Sequence, residues 1–163
     1  MKPVFLCGFM GCGKSTVGHE LSKLLGCDFV DIDSYIEENE GMTIPEIFKR
    51  FGEKHFRKLE TEAILKLCNK PAVIAAGGGA LISDENAAAA ASYGKIVCIK
   101  LDFEKCYQRI KNNPYRPIVV RSTKKQLKEL YNNRSKVYLQ RSSIVVNGDS
   151  TPREIAKEII SYL

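Results

Sequence analysis

Residues 8–16 read Gly8-Phe9-Met10-Gly11-Cys12-Gly13-Lys14-Ser15-Thr16, and Gly8, Gly13, Lys14 and Ser15 satisfy the spacing G-x-x-x-x-G-K-S/T of a phosphate-binding loop. The chemistry open to this set is the cradling of a polyphosphate. Glycines reach backbone angles closed to other residues and leave room for a phosphate to approach. The N–H groups so freed, with the positive end of a following helix, form an anion site. Lys14 is placed to reach β- and γ-phosphates, and the Ser15 hydroxyl is a hard oxygen of the kind Mg²⁺ takes. An apolar run, Val4-Phe5-Leu6-Cys7, enters the loop and an amphipathic stretch, Thr16 to Leu25, leaves it. That strand–loop–helix context argues against an incidental glycine-rich turn.

Other residues could supply the rest of a phosphoryl-transfer site, which needs an acceptor, charge neutralisation and exclusion of water. Phe29-Val30-Asp31-Ile32-Asp33 reads as a short strand, on which Asp31 and Asp33 point to the same side. Two carboxylates there are poorly explained by packing, although Asp33 could simply cap the next helix. Together they can hold a Mg²⁺-bound water and an acceptor hydroxyl. Gly77-Gly78-Gly79 follows a buried run, Pro71 to Ala76, and makes sense where a ligand or another backbone comes very close. Arg57 alone would be an ordinary surface ion-pair partner. With Arg134 it offers forked guanidinium groups that grip a small carboxylate. Arg116, on the proline-stiffened stretch Asn112 to Pro117, can swing over the phosphates as a lid.

These residues must be positioned by regular elements. Strands are expected at about 3–7, 29–33, 71–76, 95–101 and 144–147. Helices are expected from Lys14 to Leu25 with Gly26 as a stop, over 34–41, from Ile44 to Phe51, over 53–68, and from Ser83 or Asp84 onward. Further helices follow the Asp102 cap, run from about Thr123 to Gln140, and open at Thr151-Pro152-Arg153-Glu154. Thr43 with Glu46, and Thr151 with Glu154, have capping-box spacing. Strands alternating with helices imply an α/β fold with a parallel sheet covered on both faces. Such sheets bind ligands outside the carboxyl ends of their strands.

Composition narrows the function classes. With 163 residues, 44% hydrophobic and 27% charged, and no repeat or linker, one domain is expected. No apolar run is long enough to cross a bilayer. The first strand follows Met1 at once and leaves no room for a signal peptide, so the cytoplasm is expected. None of the six cysteines forms a C-x-x-C pair, so zinc and thioredoxin-type chemistry lack their signature. Cys7 and Cys98 read as small hydrophobes. Cys12 sits where a thiol can be activated, but a tolerated residue at a variable loop position is favoured. The net charge of +6 is uneven, because Lys105 to Arg141 holds eleven Lys or Arg against one acid, Glu129. A basic block suits nucleic acid, a membrane surface or a polyanionic small ligand, and the phosphate loop already supplies the last. A nucleic-acid-binding ATPase would carry an aromatic-interleaved recognition motif, which is missing. A GTPase would carry N-K-x-D, whereas Asn69-Lys70-Pro71-Ala72 lacks the aspartate.

Taken in order, the motifs resemble the shikimate kinases over essentially the whole chain. They are Gly8 to Gly18, Asp31-Ile32-Asp33 with Ile36-Glu37, Ile44-Pro45-Glu46-Ile47-Phe48, Phe51-Gly52-Glu53, Phe56-Arg57, Glu60, Gly77-Gly78-Gly79, Arg116-Pro117, and Arg134 with Tyr138. The resemblance implies a three-layer fold like that of nucleoside monophosphate kinases, with five parallel strands, an acceptor-binding region at about 32–61 and a lid at about 112–123. It implies ATP-dependent phosphorylation of the 3-hydroxyl of shikimate, on the route to chorismate and aromatic amino acids. By that likeness Asp33 takes the hydroxyl and is the candidate base. Arg57, Gly77, Gly78, Gly79 and Arg134 hold shikimate, the two arginines at its carboxylate. Lys14 and Arg116 stabilise transition-state charge. Gly11, Cys12, Gly13, Lys14, Ser15 and Thr16 contact the nucleotide, and Arg109 and Pro152 border adenine. Ser15, and Asp31 through water, serve Mg²⁺. The partners expected are ATP and shikimate, with no nucleic acid and no membrane, on a monomer. The family's Arg-Pro-Leu is here Arg116-Pro117-Ile118, a volume-conserving swap. A related kinase, such as a gluconate kinase, would share the phosphate loop without requiring Asp31, Asp33, Arg57 and the triple glycine. A catalytically dead relative is disfavoured by the presence of Lys14, Asp31, Asp33, Arg57 and Arg116.

Overall fold

The computed structural model describes residues 1–163. Its five strands are β1 (Val4–Cys7), β2 (Asp28–Asp31), β3 (Ala72–Ala75), β4 (Lys95–Lys100) and β5 (Ile144–Asn147), all parallel, in the order β2-β3-β1-β4-β5. β1 and β3 are buried at every position. Their apolar runs lack polar alternation because both faces of the sheet are covered. The register aligns Asp31 with Ala75, Ala75 with Leu6, and Cys7 with Cys98. The segments leaving β1, β2, β3 and β4 therefore emerge along one rim. β1 lies between β3 and β4, where the chain's winding reverses, and a crevice opens at such a switch point.

Nine helices surround the sheet: α1 (Lys14–Leu25), α2 (Ile32–Glu40), α3 (Ile44–Phe51), α4 (Glu53–Leu67), α5 (Asp84–Tyr93), α6 (Phe103–Ile110), α7 (Pro117–Val120), α8 (Lys124–Arg141) and α9 (Pro152–Tyr162). Helix α1 packs on α9 and β3, while α5 and α8 pack on β4. Thr43, Thr123 and Thr151 each open a helix with a complete capping box. No helix is long and apolar enough to cross a membrane.

Two local expectations need correction. β2 stops at Asp31 and α2 begins at Ile32, so Asp31 and Asp33 are not alternate residues of one strand. The reason is the Asp31 carboxylate, whose Oδ1 accepts N–H bonds from Asp33 at 3.0 Å and Ser34 at 3.3 Å. Asp31, not Asp33, is the helix cap, and Asp33 is left free. The second correction is α7, a turn of helix within the lid region at about 112–123, for which the sequence predicts no helix. Pro117 occupies its first position, where a proline is pre-set for helix and its missing N–H is no loss.

Candidate active site at the strand carboxyl ends

The loop between β1 and α1 takes its shape from glycines at positive φ, 144° at Gly8 and 101° at Gly13. A side chain at Gly8 would also put its Cβ 2.6 Å from the Ile99 carbonyl oxygen, so the position demands glycine twice over. Lys14 Nζ donates to the carbonyls of Gly8 at 2.8 Å and Phe9 at 3.1 Å, which holds the ammonium over the loop. Arg109 Nη1 donates to the Gly11 carbonyl at 2.9 Å. Ser15 Oγ donates to Asp31 Oδ2 at 2.8 Å, bringing the two hard oxygens together. Gly11, Gly13, Lys14, Ser15, Thr16 and Arg109 line a cavity of about 450 Å³.

Two expected nucleotide residues stand outside that lining. Cys12 is 1% exposed, its N–H is spent on the Phe9 carbonyl at 3.1 Å, and its Sγ lies 3.8 Å from Lys14 Nζ. Its side chain belongs to the core, which explains why a thiol is accommodated here. Pro152 is exposed at the start of α9 and borders neither main cavity.

A second cavity, of about 280 Å³, adjoins the first, and Asp31, Asp33, Gly78 and Arg116 line both. These four form the wall across which a group would pass. Asp33 Oδ1 and Arg116 Nε are both buried without a partner. A buried acceptor without a donor, and a donor without an acceptor, are rare enough to need a reason, and incoming polar groups at the wall supply one. Burial raises the Asp33 carboxyl to about 6; Asp31 adds to the rise, while Arg116 and Lys14 oppose it.

Beyond the wall, Met10, Ile44, Phe48, Phe56 and Ile118 give the second cavity an apolar side. Arg57 and Arg134 give it a cationic one. Arg57 is fixed by Glu60 at 2.7 Å and Glu53 at 3.2 Å. Arg134 makes no side-chain hydrogen bond or ion pair, and burial pulls its guanidinium below the usual range. It is a desolvated cation without an anion, a state that a carboxylate would relieve. The triple glycine divides between the cavities. Gly77 borders the phosphate side, Gly78 both, and Gly79 the acceptor side. A Cβ at Gly77 would lie 2.8 Å from Asp33 Oδ1, one at Gly78 3.3 Å from Arg134 Nη1, and one at Gly79 would collide with the Arg57 guanidinium. The glycines thus admit three functional side chains. Tyr138, buried on α8, donates its hydroxyl to the Gly78 carbonyl.

Sequence reasoning assigned no task to Glu53, Glu60, Phe48, Met10 or Tyr138. The carboxylates had a signal: Glu53 and Glu60 stand four before and three after Arg57 on α4, the spacings at which helical side chains meet. Glu60 is 1% exposed, and burial raises its carboxyl to about 7 against the pull of Arg57. The Tyr138–Gly78 bond joins residues 60 apart, and no local pattern announces it.

The shikimate kinase family model matches residues 10–163. A shikimate kinase of Staphylococcus haemolyticus is 42% identical over 161 residues, spanning 99% of this chain and 94% of the relative. A solved shikimate kinase from Acinetobacter baumannii, in complex with shikimate, superposes with a TM-score of 0.94 at 32% identity, covering 99% of this chain and 92% of that one. A gluconokinase from Sinorhizobium meliloti reaches a TM-score of 0.58 at 13% identity over 98% of this chain and 90% of its own, a likeness of fold alone.

Proposed function

The chain belongs to the shikimate kinase family, and we propose that it transfers the γ-phosphoryl of ATP to the 3-hydroxyl of shikimate. The products are shikimate 3-phosphate and ADP, a step toward chorismate and the aromatic amino acids. The observation that carries this reading is the pair of cavities meeting at Asp31, Asp33, Gly78 and Arg116, with a phosphate loop on one side and an unpaired Arg134 on the other.

ATP lies along the phosphate loop, its phosphates on the N–H groups of Gly11, Gly13 and Thr16, with Arg109 toward the base. Shikimate places its carboxylate between Arg57 and Arg134 and its ring against Phe48 and Phe56. Its 3-hydroxyl then donates to the unpartnered Asp33 Oδ1. Asp33 both orients the hydroxyl and takes its proton. Positioning is the larger part, because a loose phosphoryl transition state asks little of a base. Lys14 and Arg116, flanking the transfer path, stabilise the charge that shifts onto the bridging and departing oxygens. The α7 segment covers the wall and keeps water from competing as acceptor.

Mg²⁺ fits the donor set, since Ser15 Oγ and Asp31 Oδ2 sit 2.8 Å apart at the phosphate cavity and both are hard oxygens. No cluster of three or more acidic, His or Cys side chains exists to hold an ion without the nucleotide. Ser15, and Asp31 through water, would hold the ion beside the ATP phosphates, where it would supply charge neutralisation. Of the basic stretch from Lys105 to Arg141, Arg109 and Arg116 line the phosphate cavity and serve these phosphates, and Arg134 lines the acceptor cavity. The protein works as a cytoplasmic monomer.

ADP release from Mg-ATP, measured with shikimate, with gluconate and with neither, tests the assignment. Strong stimulation by shikimate alone is expected. Equal stimulation by gluconate would show that the arginine pair does not select this acceptor, and no stimulation by either would leave only a nucleotide site.

A further inference from the structure

Arg121, the residue that closes α7, reaches across to α4 and pairs with Glu53 Oε2 at 2.9 Å. The other oxygen of the same carboxylate, Oε1, holds Arg57 Nη2 at 3.2 Å. Arg57 is in turn fixed by the buried Glu60. One carboxylate therefore ties the lid segment to the arginine that faces the acceptor. The two guanidinium groups hold the Glu53 carboxyl below its usual range, Arg121 most strongly.

The charge count around the acceptor's anionic end depends on this contact. Without Arg121, the Glu53 carboxylate faces the Arg57 guanidinium alone and offsets its charge toward an arriving anion. With Arg121 docked, Glu53 is shared between two guanidinium groups and offsets less of the Arg57 charge. As a stabilising ion pair the contact is minor, since both side chains are about half exposed, 56% for Arg121 and 41% for Glu53, and exposed pairs contribute little to folding. Its effect falls instead on the balance between lid and ligand. A docked lid favours the anion, and by reciprocity the bound anion favours a docked lid. Arg116, five residues earlier, lines both cavities, so the lid position that Arg121 secures is also the one that delivers Arg116 to the transfer wall.

We propose that Arg121 and Glu53 are positioning residues that couple closure of the α7 segment over the nucleotide to capture of the acceptor's carboxylate by Arg57. The inference rests on the shikimate kinase reading of the site and goes beyond it, because neither residue lines either of the two cavities.

The test is the affinity for shikimate with and without a non-hydrolysable ATP analogue and Mg²⁺, by calorimetry, in the wild type, Arg121→Gln, Arg121→Lys, Glu53→Gln and the Glu53→Gln/Arg121→Gln double variant. The analogue is expected to tighten shikimate binding in the wild type. Arg121→Gln should lose about three- to fivefold of that tightening, the size of an exposed charge pair. Arg121→Lys should retain most of it. Arg121→Gln should have no further effect once Glu53 is Gln, the signature of direct coupling. Shikimate methyl ester, which lacks the anion, should bind equally to the wild type and Arg121→Gln, whereas a general disturbance of the fold would weaken both ligands.

Full tightening in Arg121→Gln, an undiminished Arg121 effect in the Glu53→Gln background, or equal losses for the ester would each overturn the proposal while leaving the kinase assignment intact. A wild type that binds the analogue but takes up no shikimate would overturn the assignment itself, and the proposal with it.

Discussion

Asp33 Oδ1, buried and unpartnered, is held at a disadvantage until a hydroxyl arrives, and that has consequences at two pH ranges. Because burial lifts the carboxyl to about 6, kcat/KM for shikimate should rise as pH passes through about 6 and Asp33 ionises. Asp33→Asn should lose that limb together with most of the activity. Stability should move the other way. The folded-state value lies above the unfolded value of about 3.9, so the native protein takes up a proton that the unfolded chain releases. The stability this confers is complete below about pH 4 and is lost as pH rises through 6. Asp33→Asn is therefore expected to be more stable than the wild type at pH 8, by about 3 kcal/mol, with the gap closing toward pH 4. Urea unfolding of both proteins at the two pH values checks it. A wild type more stable than the variant at pH 8 would mean that Asp33 is better solvated or paired than its burial indicates.

Among the elements, α8 shows how one helix serves both core and chemistry. Leu127 and Tyr138 anchor it in the core, and Arg134, one turn before Tyr138, is carried into the acceptor cavity. The Tyr138 hydroxyl then fixes the Gly78 carbonyl, so helix and glycine run are aligned by a single bond. Removing it with Tyr138→Phe leaves a buried carbonyl short of a donor, a loss of about 1 kcal/mol. The KM for shikimate should rise about fivefold, with the KM for ATP unchanged. Steady-state kinetics with each substrate varied in turn measures this. A matching loss for ATP would mean that the bond supports the whole rim and not the acceptor side.

At the scale of the molecule, the switch point between β3, β1 and β4 sets two cavities side by side, so binding energy from both substrates falls on one fold. A ligand at 100 times its dissociation constant stabilises the native state by about 2.7 kcal/mol, which for a chain of this size raises Tm by roughly 5–10 °C. Shikimate and a non-hydrolysable Mg-ATP analogue should each produce such a shift, and together more than their sum if the lid couples the sites. Thermal scans with each ligand and with both would measure it. Gluconate in place of shikimate should leave only the nucleotide's shift.

The phosphate loop, the alternation of strands and helices, and the capping boxes were legible in the chain because each is local. A glycine at a set spacing, a threonine three residues before a glutamate, or an apolar run takes its meaning from neighbours within one turn or one strand. The family motifs named Asp33, Arg57, Arg116 and Arg134, and the helical spacing around Arg57 held a readable hint of Glu53 and Glu60. Other features depended on contacts that no local pattern encodes. The strand order beside β1, the meeting of two cavities at Asp31, Asp33, Gly78 and Arg116, the bond from Tyr138 to Gly78 and the pairing of Arg121 with Glu53 all join segments far apart in sequence. Even the choice of Asp31 over Asp33 as the α2 cap shows only in the fold, where β2 runs beside β3 as far as Asp31 and Ala75 and the Asp31 carboxylate then caps the next turn. Local chemistry thus chose the elements and their catalytic residue types. Long-range packing chose which of those residues face one another, because the free energy of a buried partner depends on what the rest of the chain brings to it.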